Sequence, residues 1–389
     1  MDYDNSDDDP TTGQSSSNED NQLDDLTLKI ENTFYFNQSN TLSFGLQFAK
    51  QKIDFSLIQN NDLVLETENE ATTSTIYFQD EVWMDDLTII PGIRISHYDI
   101  NDEIYTEPRL SLAYELNDSI QLRSAFGDYH QFALSVARQS IEEGPRNFWT
   151  LADGETVPVS KARHFMFGAT HFIDDYSLSV EFFHKEYEGL SEFTQQTRPI
   201  RNEEGKGLSI ILEQEFHTGT GTSSGVELLL QADLGDLTGW AGYTYSEVTY
   251  DFPTVSDTKY FADQDTTHEF KYVVMHRWKN WDLAGTFIYA TGRPYTEVLG
   301  VVEGSFPPVY EVGKKNDERF DDYHRLDLSA TYNFQLFGGE GTAGLSLFNI
   351  YDRQNEWYTE YDIIEGEILE TEVNYRGFTP SLFVSWNLY

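Results

Sequence analysis

The sequence contains no cysteine, and this absence excludes disulfide scaffolds, thiolate metal centres and cysteine nucleophiles. It also lacks any run of about 18 apolar residues, so no transmembrane helix is predicted. The absence of such a run is compatible with a closed β-barrel, because barrel strands cross a bilayer while being only moderately apolar.

Basic residues are scarce. The 389-residue chain has 25 Lys and Arg against 67 Asp and Glu, which gives a formal net charge of -42. Such a surface repels phosphate backbones, so nucleic acid is excluded as a partner. Aromatic residues, by contrast, make up 15% of the sequence. This content is too high for a disordered acidic chain and is typical of strands that carry aromatic girdles at a membrane interface.

The start of the sequence has neither the positive nor the apolar region of a secretory signal. Residues 1–22 are acidic and polar without periodicity, and they are predicted to be disordered. Because an exported barrel needs a signal, we expect the chain to be a fragment of a longer protein. Residues 1–22 are then the remnant of an extracellular loop, and residues 23–389 form a partial outer-membrane β-barrel.

Apolar and polar side chains alternate from Arg325 to Phe334 and again from Leu382 to Leu388. Successive side chains of a strand point to opposite faces, so each segment is predicted to be a strand with one apolar and one polar face. Comparable segments recur along the chain, and no helix is predicted. The predicted strands, about fifteen in number, are 23–37, 40–56, 71–84, 86–99, 104–116, 118–130, 160–172, 175–190, 223–235, 237–250, 266–279, 281–292, 320–335, 340–351 and 372–388.

The links between these strands alternate between tight turns and long segments, and the short link 100–103 is the exception. Outer-membrane barrels alternate short periplasmic turns with long extracellular loops in the same way. Residues 208–216 are predicted to belong to a loop hairpin that projects above the barrel. The long links are 57–70, 131–159, 191–222, 251–265, 293–319 and 352–371.

Five segments carry a family resemblance: Glu107–Tyr114, Ser224–Leu230, Tyr289–Tyr295, His324–Ser329 and Leu347–Tyr351. In this order and spacing they resemble the C-terminal barrel of TonB-dependent receptors, in particular the Bacteroidetes-type nutrient receptors. The resemblance covers most of residues 23–389. It implies an all-β fold, a transmembrane antiparallel β-barrel, in which this chain supplies about fifteen C-terminal strands of a barrel of about 22. The plug and the TonB-contacting segment of the family are absent from the sequence.

The resemblance also implies a function: a receptor and transporter of the cell outer membrane that takes up a nutrient ligand, and not an enzyme. The implied partners are outer-membrane lipid, the barrel assembly machinery, and the TonB complex through the missing plug segment. Two alternatives stay open at this point, a passive porin-like channel and a soluble β-rich binding protein. No Ser/His/Asp or Asp/His constellation can be assembled for an enzyme on a barrel rim.

Four residues are candidates for the ligand vestibule. Trp149 and Trp357 lie in long links, where an exposed indole can contact a ligand. Arg293 and Tyr295 follow the top of a predicted strand; the alternative is a plain strand exit, because Pro294 cannot continue the hydrogen-bond ladder. Four further tryptophans lie near the short turns, and their indole rings favour a membrane interface: Trp83, Trp278, Trp281 and Trp386.

No catalytic, cofactor or metal residues are predicted, since the nine histidines lack metal-ligand spacing. The glycine pattern from Gly339 to Gly344 matches a dinucleotide fingerprint but precedes a predicted strand instead of a helix, so it is interpreted as a turn. Carboxylates can bind calcium, so loop calcium remains a hypothesis beside solvated loop tips for three acidic clusters: Asp7–Asp9, Asp263 with Asp265, and Asp317, Glu318, Asp321 and Asp322.

Overall fold

The computed structural model describes residues 3–6, 17–59, 62–139, 146–201, 208–302, 310–364 and 367–388. Every regular element within these ranges is a β-strand, and 25 strands are assigned. A main sheet holds 19 of them, and three two-stranded sheets hold the rest. The prediction of an all-β, antiparallel architecture is therefore confirmed.

Fifteen strands of the main sheet pair in succession, each antiparallel to its neighbours, and form one continuous wall. Each contains most of one predicted strand. In chain order the wall consists of β2 (Ser17–Asn37), β3 (Asn40–Gln59), β4 (Asp62–Met84), β5 (Leu87–Tyr98), β6 (Glu103–Asn117), β7 (Ile120–Gln131), β10 (Ser160–Ile173), β11 (Tyr176–Arg201), β12 (Leu208–Asp233), β13 (Leu237–Asp251), β15 (His268–Trp278), β16 (Trp281–Ala290), β21 (Tyr323–Leu336), β22 (Gly339–Phe348) and β25 (Thr379–Leu388).

Ten shorter strands lie outside this wall, and most belong to the long links. They are β1 (Tyr3–Ser6), β8 (Ala133–Gln139), β9 (Arg146–Leu151), β14 (Tyr260–Phe261), β17 (Pro294–Tyr295), β18 (Val298–Val301), β19 (Tyr310–Val312), β20 (Glu318–Arg319), β23 (Glu356–Ile364) and β24 (Glu367–Asn374).

Five wall strands, β2, β3, β4, β11 and β12, extend beyond their predicted bounds at the end of the long links, whereas β15, β16, β21, β22 and β25 are shorter there than predicted. β11 and β12 each have 26 residues, whereas a tilted strand needs about 9–11 to cross a bilayer. Their ladder continues to the pair Arg201 and Leu208, so the predicted hairpin around 208–216 is a direct extension of the wall. At the N-terminal side, β2 begins at Ser17 and pairs with β3 from there. The predicted boundary at residue 22 therefore lies inside a strand; residues 7–16, with the cluster Asp7–Asp9, lie outside the described residues.

One face of the wall is apolar across neighbouring strands. Phe167 of β10 pairs with Phe182 of β11, which pairs in turn with Val226 of β12. Phe167 and Phe182 are 53% and 52% exposed at the protein surface, as expected for residues that face lipid. The same register leads on to Tyr245 of β13. The apolar face is therefore a property of the sheet and not of single strands.

The opposite face is polar. Glu181 of β11 pairs with Glu227 of β12, and Glu227 pairs with Thr244 of β13. Near the other end of the wall, Arg325 Nε lies 3.0 Å from Asp327 Oδ2. A polar face of this kind suits the water-filled or plugged lumen of an outer-membrane barrel.

Short turns join the wall strands at the end away from the long links. Several need a positive φ, which Asp85 and Asp174 adopt at 50° and 46°, and Gly235 and Gly338 at 75° and 76°. Asn, Asp and Gly tolerate this region best, so these turns are encoded locally. The prediction of a turn for the glycine fingerprint was wrong: Gly339, Gly341 and Gly344 all lie in β22, and the turn is formed by Phe337 and Gly338.

Three of the four tryptophans near the short turns lie on the apolar face. Trp278 pairs with Trp281 across a turn, and the Trp281 ring lies 4.8 Å from that of Tyr332. Trp386 Nε1 donates to the carbonyl of Leu336 at 3.2 Å. Trp83 differs, because it lies opposite Thr88, a residue of the polar face, in the same unbroken register as Tyr77 opposite Arg94.

The wall has two edges. Among the described residues, β25 pairs only with β22, and β2 pairs with β3 and, over Asn18–Asn21, with β1. Beyond Asn21 the outer edge of β2 carries no described strand. Leu26 and Leu382, on these two edge strands, are 74% and 80% exposed.

Candidate ligand-binding site

The long links all lie at one end of the wall, because neighbouring strands are antiparallel and the short turns occupy the other end. Two groups of side chains lie at that end of the wall. The first group packs around the antiparallel strands β8 and β9, which together are called the inner hairpin here. The second joins β17–β20 with β23 and β24, and is here called the loop group.

The inner hairpin packs on the polar-face side of the long strands and forms the main hydrophobic core among the described residues. Phe148 of β9 stacks on Phe55 of β3 with ring centroids 4.4 Å apart, and it meets Phe193 of β11 edge-on at 5.6 Å. Phe148 and Phe193 are each 1% exposed. The hairpin therefore connects β3 with β11, strands that lie far apart in the wall.

Polar contacts secure the same hairpin. Arg138 Nη2 lies 3.0 Å from Glu19 Oε2 of β2, and the Tyr98 hydroxyl donates to the carbonyl of Ala152 at 2.8 Å. Residues Ala137–Gln139 of β8 pair in parallel with Glu192–Thr194 of β11. These contacts join the first wall strand, β5 and β11 through one segment.

Trp149, the first vestibule candidate, belongs to the inner hairpin. Its N–H donates to Asn21 Oδ1 at 2.8 Å, and its carbonyl accepts from Asn21 Nδ2 at 3.3 Å. Its side chain is 39% exposed. The backbone of Trp149 thus anchors the hairpin to β2, while the indole remains accessible.

The other three candidates meet in the loop group. Arg293 Nη2 donates to the carbonyl of Trp357 at 2.7 Å, although the two residues are 64 positions apart. The Tyr295 ring stacks on Phe320 at 4.4 Å with an interplanar angle of 16°. Trp357 lies 5.8 Å from the ring of Tyr375 and is 44% exposed. The chain leaves the wall at Ala290, the end of β16, and Pro294 and Tyr295 then pair with β20 in a separate two-stranded sheet.

Carboxylates surround these aromatic residues. Tyr295 lies opposite Glu318 in the β17–β20 pair, and Tyr361 lies opposite Glu370 in the β23–β24 pair. Burial, followed by the charges of nearby glutamates, raises the pKa of Tyr361 to about 12. The same two causes raise the pKa of Tyr295. The loop group is therefore both aromatic and strongly acidic.

A buried acidic residue ties the loop group to β13. Asp265 is fully buried; it accepts from Arg319 Nη2 at 2.6 Å and from the backbone N–H of Val248 at 2.7 Å. Asn316 Nδ2 donates to Asp263 Oδ1 at 2.6 Å. The predicted acidic pair Asp263 and Asp265 thus binds protein donors that connect separate loops.

A third link reaches β11. Lys315 Nζ lies 3.0 Å from Glu192 Oε1, and the Tyr260 hydroxyl donates to Glu192 Oε2 at 2.7 Å. Burial and the Glu192 carboxylate raise the pKa of Tyr260. Glu192 therefore contacts the loop group through its side chain and the inner hairpin through its backbone pairing with Ala137.

The sequence pattern missed Glu192, Lys315 and Arg319 as organising residues. Glu192 and Lys315 are 123 positions apart, so no local spacing signals their contact. Within the described ranges, no group of three or more His, Asp or Glu side chains is placed to hold a metal ion. Loop calcium at residues 317–322 remains a prediction; there, Asp322 Oδ2 accepts from the Tyr289 hydroxyl at 2.7 Å.

The sequence profile described as "TonB dependent receptor-like, beta-barrel" matches residues 1–350. The chain belongs to this family. As a TonB-dependent receptor barrel it is a protein of the outer membrane, and the family consists of receptors and transporters, not enzymes. The narrower resemblance to Bacteroidetes-type receptors remains a prediction.

Solved structures of such receptors share its fold. The ferric enterobactin receptor PfeA of Pseudomonas aeruginosa has a TM-score of 0.63 at 14% identity, covering 96% of this chain and 58% of the receptor. The ferric citrate transporter FecA has a TM-score of 0.59 at 13% identity, covering 96% and 55%. The outer membrane transporter YddB of Escherichia coli has a TM-score of 0.57 at 11% identity, covering 95% and 54%. The TonB-dependent receptor barrel described here thus spans about half the length of these structures.

No curated protein matches the sequence. Over the described parts of the chain, no helix is long and apolar enough to cross a membrane.

Proposed function

We propose that this TonB-dependent receptor barrel is the larger part of the wall of an outer-membrane receptor that takes up a nutrient ligand. The single observation that carries the proposal is the two-faced wall of fifteen strands. Its apolar face suits lipid, and its polar face suits an aqueous lumen. A soluble β-rich binding protein would have to bury the apolar face against a second layer, because large exposed apolar patches favour association in water.

Further strands complete the wall in this proposal. The outer edges of β2 and β25 have backbone groups without described strand partners beyond Asn21 and along Thr379–Leu388. Unpaired backbone groups are costly in a bilayer. About seven more strands would close a barrel of about 22. The same missing part would carry the plug and, through it, the contact to the TonB complex; the barrel assembly machinery would insert the whole.

The ligand would enter from the end that carries the inner hairpin and the loop group. Trp149, Arg293, Tyr295 and Trp357 lie there with accessible or partly accessible side chains. The inner hairpin packs against β2, β3 and β4, so we place the ligand at the loop group.

A passive porin-like channel is the second candidate, because a polar lumen without a plug conducts ions. The chain alone, refolded in detergent, can be added to a planar lipid bilayer. A receptor wall that needs its missing strands and plug should give no regular single-channel steps. Uniform ohmic steps would favour the channel and contradict the receptor proposal.

A further inference from the structure

The loop group brings aromatic rings and carboxylates together in a pattern that selects ligand charge. Tyr295 stacks on Phe320, and Trp357 packs beside Tyr375. The hydroxyl of Tyr310 donates to the carbonyl of Tyr361 at 2.7 Å, which joins β19 to β23. The strands β17–β20 therefore lie beside the β23–β24 pair, and both sides carry aromatic rings.

Four glutamates lie within electrostatic reach of Tyr295: Glu297, Glu318, Glu356 and Glu370. Three of these, Glu297, Glu318 and Glu370, have exposed side chains. Burial raises the pKa of Tyr361, and three of the same glutamates, Glu370, Glu356 and Glu297, raise it further through their charges. Glu318 and Glu370 are moreover the direct cross-strand neighbours of Tyr295 and Tyr361, so each carboxylate shares a face of its strand pair with a tyrosine.

The cations of the loop group are mostly engaged elsewhere. The Arg293 guanidinium donates to the carbonyl of Trp357. Arg319 is paired with Asp265, and Lys315 with Glu192. Arg319 and Lys315 are thus neutralised by other carboxylates, whereas Arg293 and the exposed Lys314 keep their charges. The four glutamates outnumber these two cations, and together with the ring faces they favour a cation.

We propose that the loop group binds a cationic organic ligand that carries an apolar or planar face, with Trp357 and Tyr295 contacting that face and Glu318 and Glu370 neutralising its charge. Quaternary ammonium and guanidinium compounds have this chemistry, because their weakly hydrated cations bind aromatic faces. The inference rests on the proposed receptor function and specifies its ligand class. It excludes multiply charged anions as the preferred ligands of this region.

The test compares two probes of similar size and opposite charge, benzyltrimethylammonium and benzenesulfonate, on the full chain refolded in detergent. Ligand-observed NMR titrations give the dissociation constants. We expect benzyltrimethylammonium to bind with a Kd on the order of 1 mM and benzenesulfonate to bind at least about tenfold more weakly.

Variants locate the binding. Glu370→Gln and Glu318→Gln keep the side-chain shape, so each should weaken the cation about three- to tenfold without disturbing the fold. Trp357→Leu should weaken it by a similar factor through the lost ring face. Glu155→Gln is the matched control, because Glu155 is an exposed carboxylate in a turn outside the loop group; its Kd should be unchanged.

Three results would contradict the proposed cationic ligand. They are tighter binding of benzenesulfonate than of benzyltrimethylammonium, no binding of either probe, and the same affinity for benzyltrimethylammonium in all four variants. None of these results depends on the bilayer measurement, which tests the receptor function by itself. A silent bilayer together with anion preference would therefore retain the receptor and reject only the ligand class.

Discussion

Arg138 and Glu19 form a buried ion pair, with Nη2 and Oε2 3.0 Å apart and side chains 1% and 9% exposed. They are 119 positions apart in the sequence, and their contact joins the inner hairpin to β2, the first strand of the wall. The wall therefore has a cross-connection through the inner hairpin in addition to its ladder of backbone hydrogen bonds.

Removing one partner of this pair should destabilise the chain markedly. Arg138→Met leaves the Glu19 carboxylate buried without its guanidinium, which costs about 3–5 kcal/mol. Denaturant unfolding of the detergent-refolded chain measures the loss. Lys50→Met is the control: Lys50 forms a 2.7 Å pair with Glu70 in which both side chains are 53% exposed, so its loss should cost less than about 1 kcal/mol. Equal effects in the two variants would contradict a structural role for the buried pair.

The core of the inner hairpin gives a second prediction. Phe148→Ala removes a ring that is 1% exposed and stacked on Phe55, so we expect a loss of about 3–5 kcal/mol and faster hydrogen exchange in β8 and β9. The neighbouring Trp149→Ala should cost under about 1 kcal/mol, because the bonds between Trp149 and Asn21 use the Trp149 backbone. A hairpin that exchanges equally fast in both variants would show that Phe148 does not hold it.

An added positive charge should destabilise the chain more on the apolar face of the wall than on the polar face. Phe182→Arg places a cation on the apolar face, opposite Phe167, and should reduce the stability of the chain in lipid vesicles by about 2–4 kcal/mol if the position lies near the bilayer centre. Glu181→Arg is one residue earlier, on the polar face, where it lies opposite Glu227. We expect only a small change there. A larger effect of Glu181→Arg would reverse the assignment of the lipid face.

Alkaline pH should loosen the loop group before it affects the wall. Burial and the glutamates near Tyr361 raise the pKa of Tyr361 to about 12, against about 10 in an unfolded chain. The folded state favours the neutral phenol, so this contribution to stability is complete below about pH 10 and is lost as the pH rises towards 12. Tyrosinate absorbance, compared between the chain and Tyr361→Phe, measures the late-titrating group. Complete titration of all tyrosines near pH 10 would contradict the raised pKa.

The wall could be predicted because its signals are local. Alternation from Arg325 to Phe334 indicates β21, and the positive φ of Asp85 and Asp174 suits the turns where they lie. Strand existence was accordingly predicted well, while the ends at the long links were not. There β11 continues to Arg201 because β12 is paired to it, and no property of residues 191–201 alone requires that pairing.

The contacts within the vestibule, unlike the strands of the wall, could not be predicted from the sequence. Position after a strand top, or within a long link, was enough to select Arg293, Tyr295 and Trp357 as vestibule candidates, but not to predict that Arg293 bonds to Trp357. Asp265 was visible only as part of an acidic cluster, although the structure buries it against Arg319. A charge pattern cannot distinguish a solvated carboxylate from a buried, paired one.

The period-two pattern of side chains and the turn residues were sufficient to specify a succession of antiparallel strands with one lipid face, because both act over a few neighbouring residues. The inward position of the inner hairpin and the grouping of Tyr295, Trp357 and Glu370 arise only in the folded chain. They depend on contacts between residues up to 128 positions apart, whose loop-closure entropy is offset by burial that no local pattern encodes.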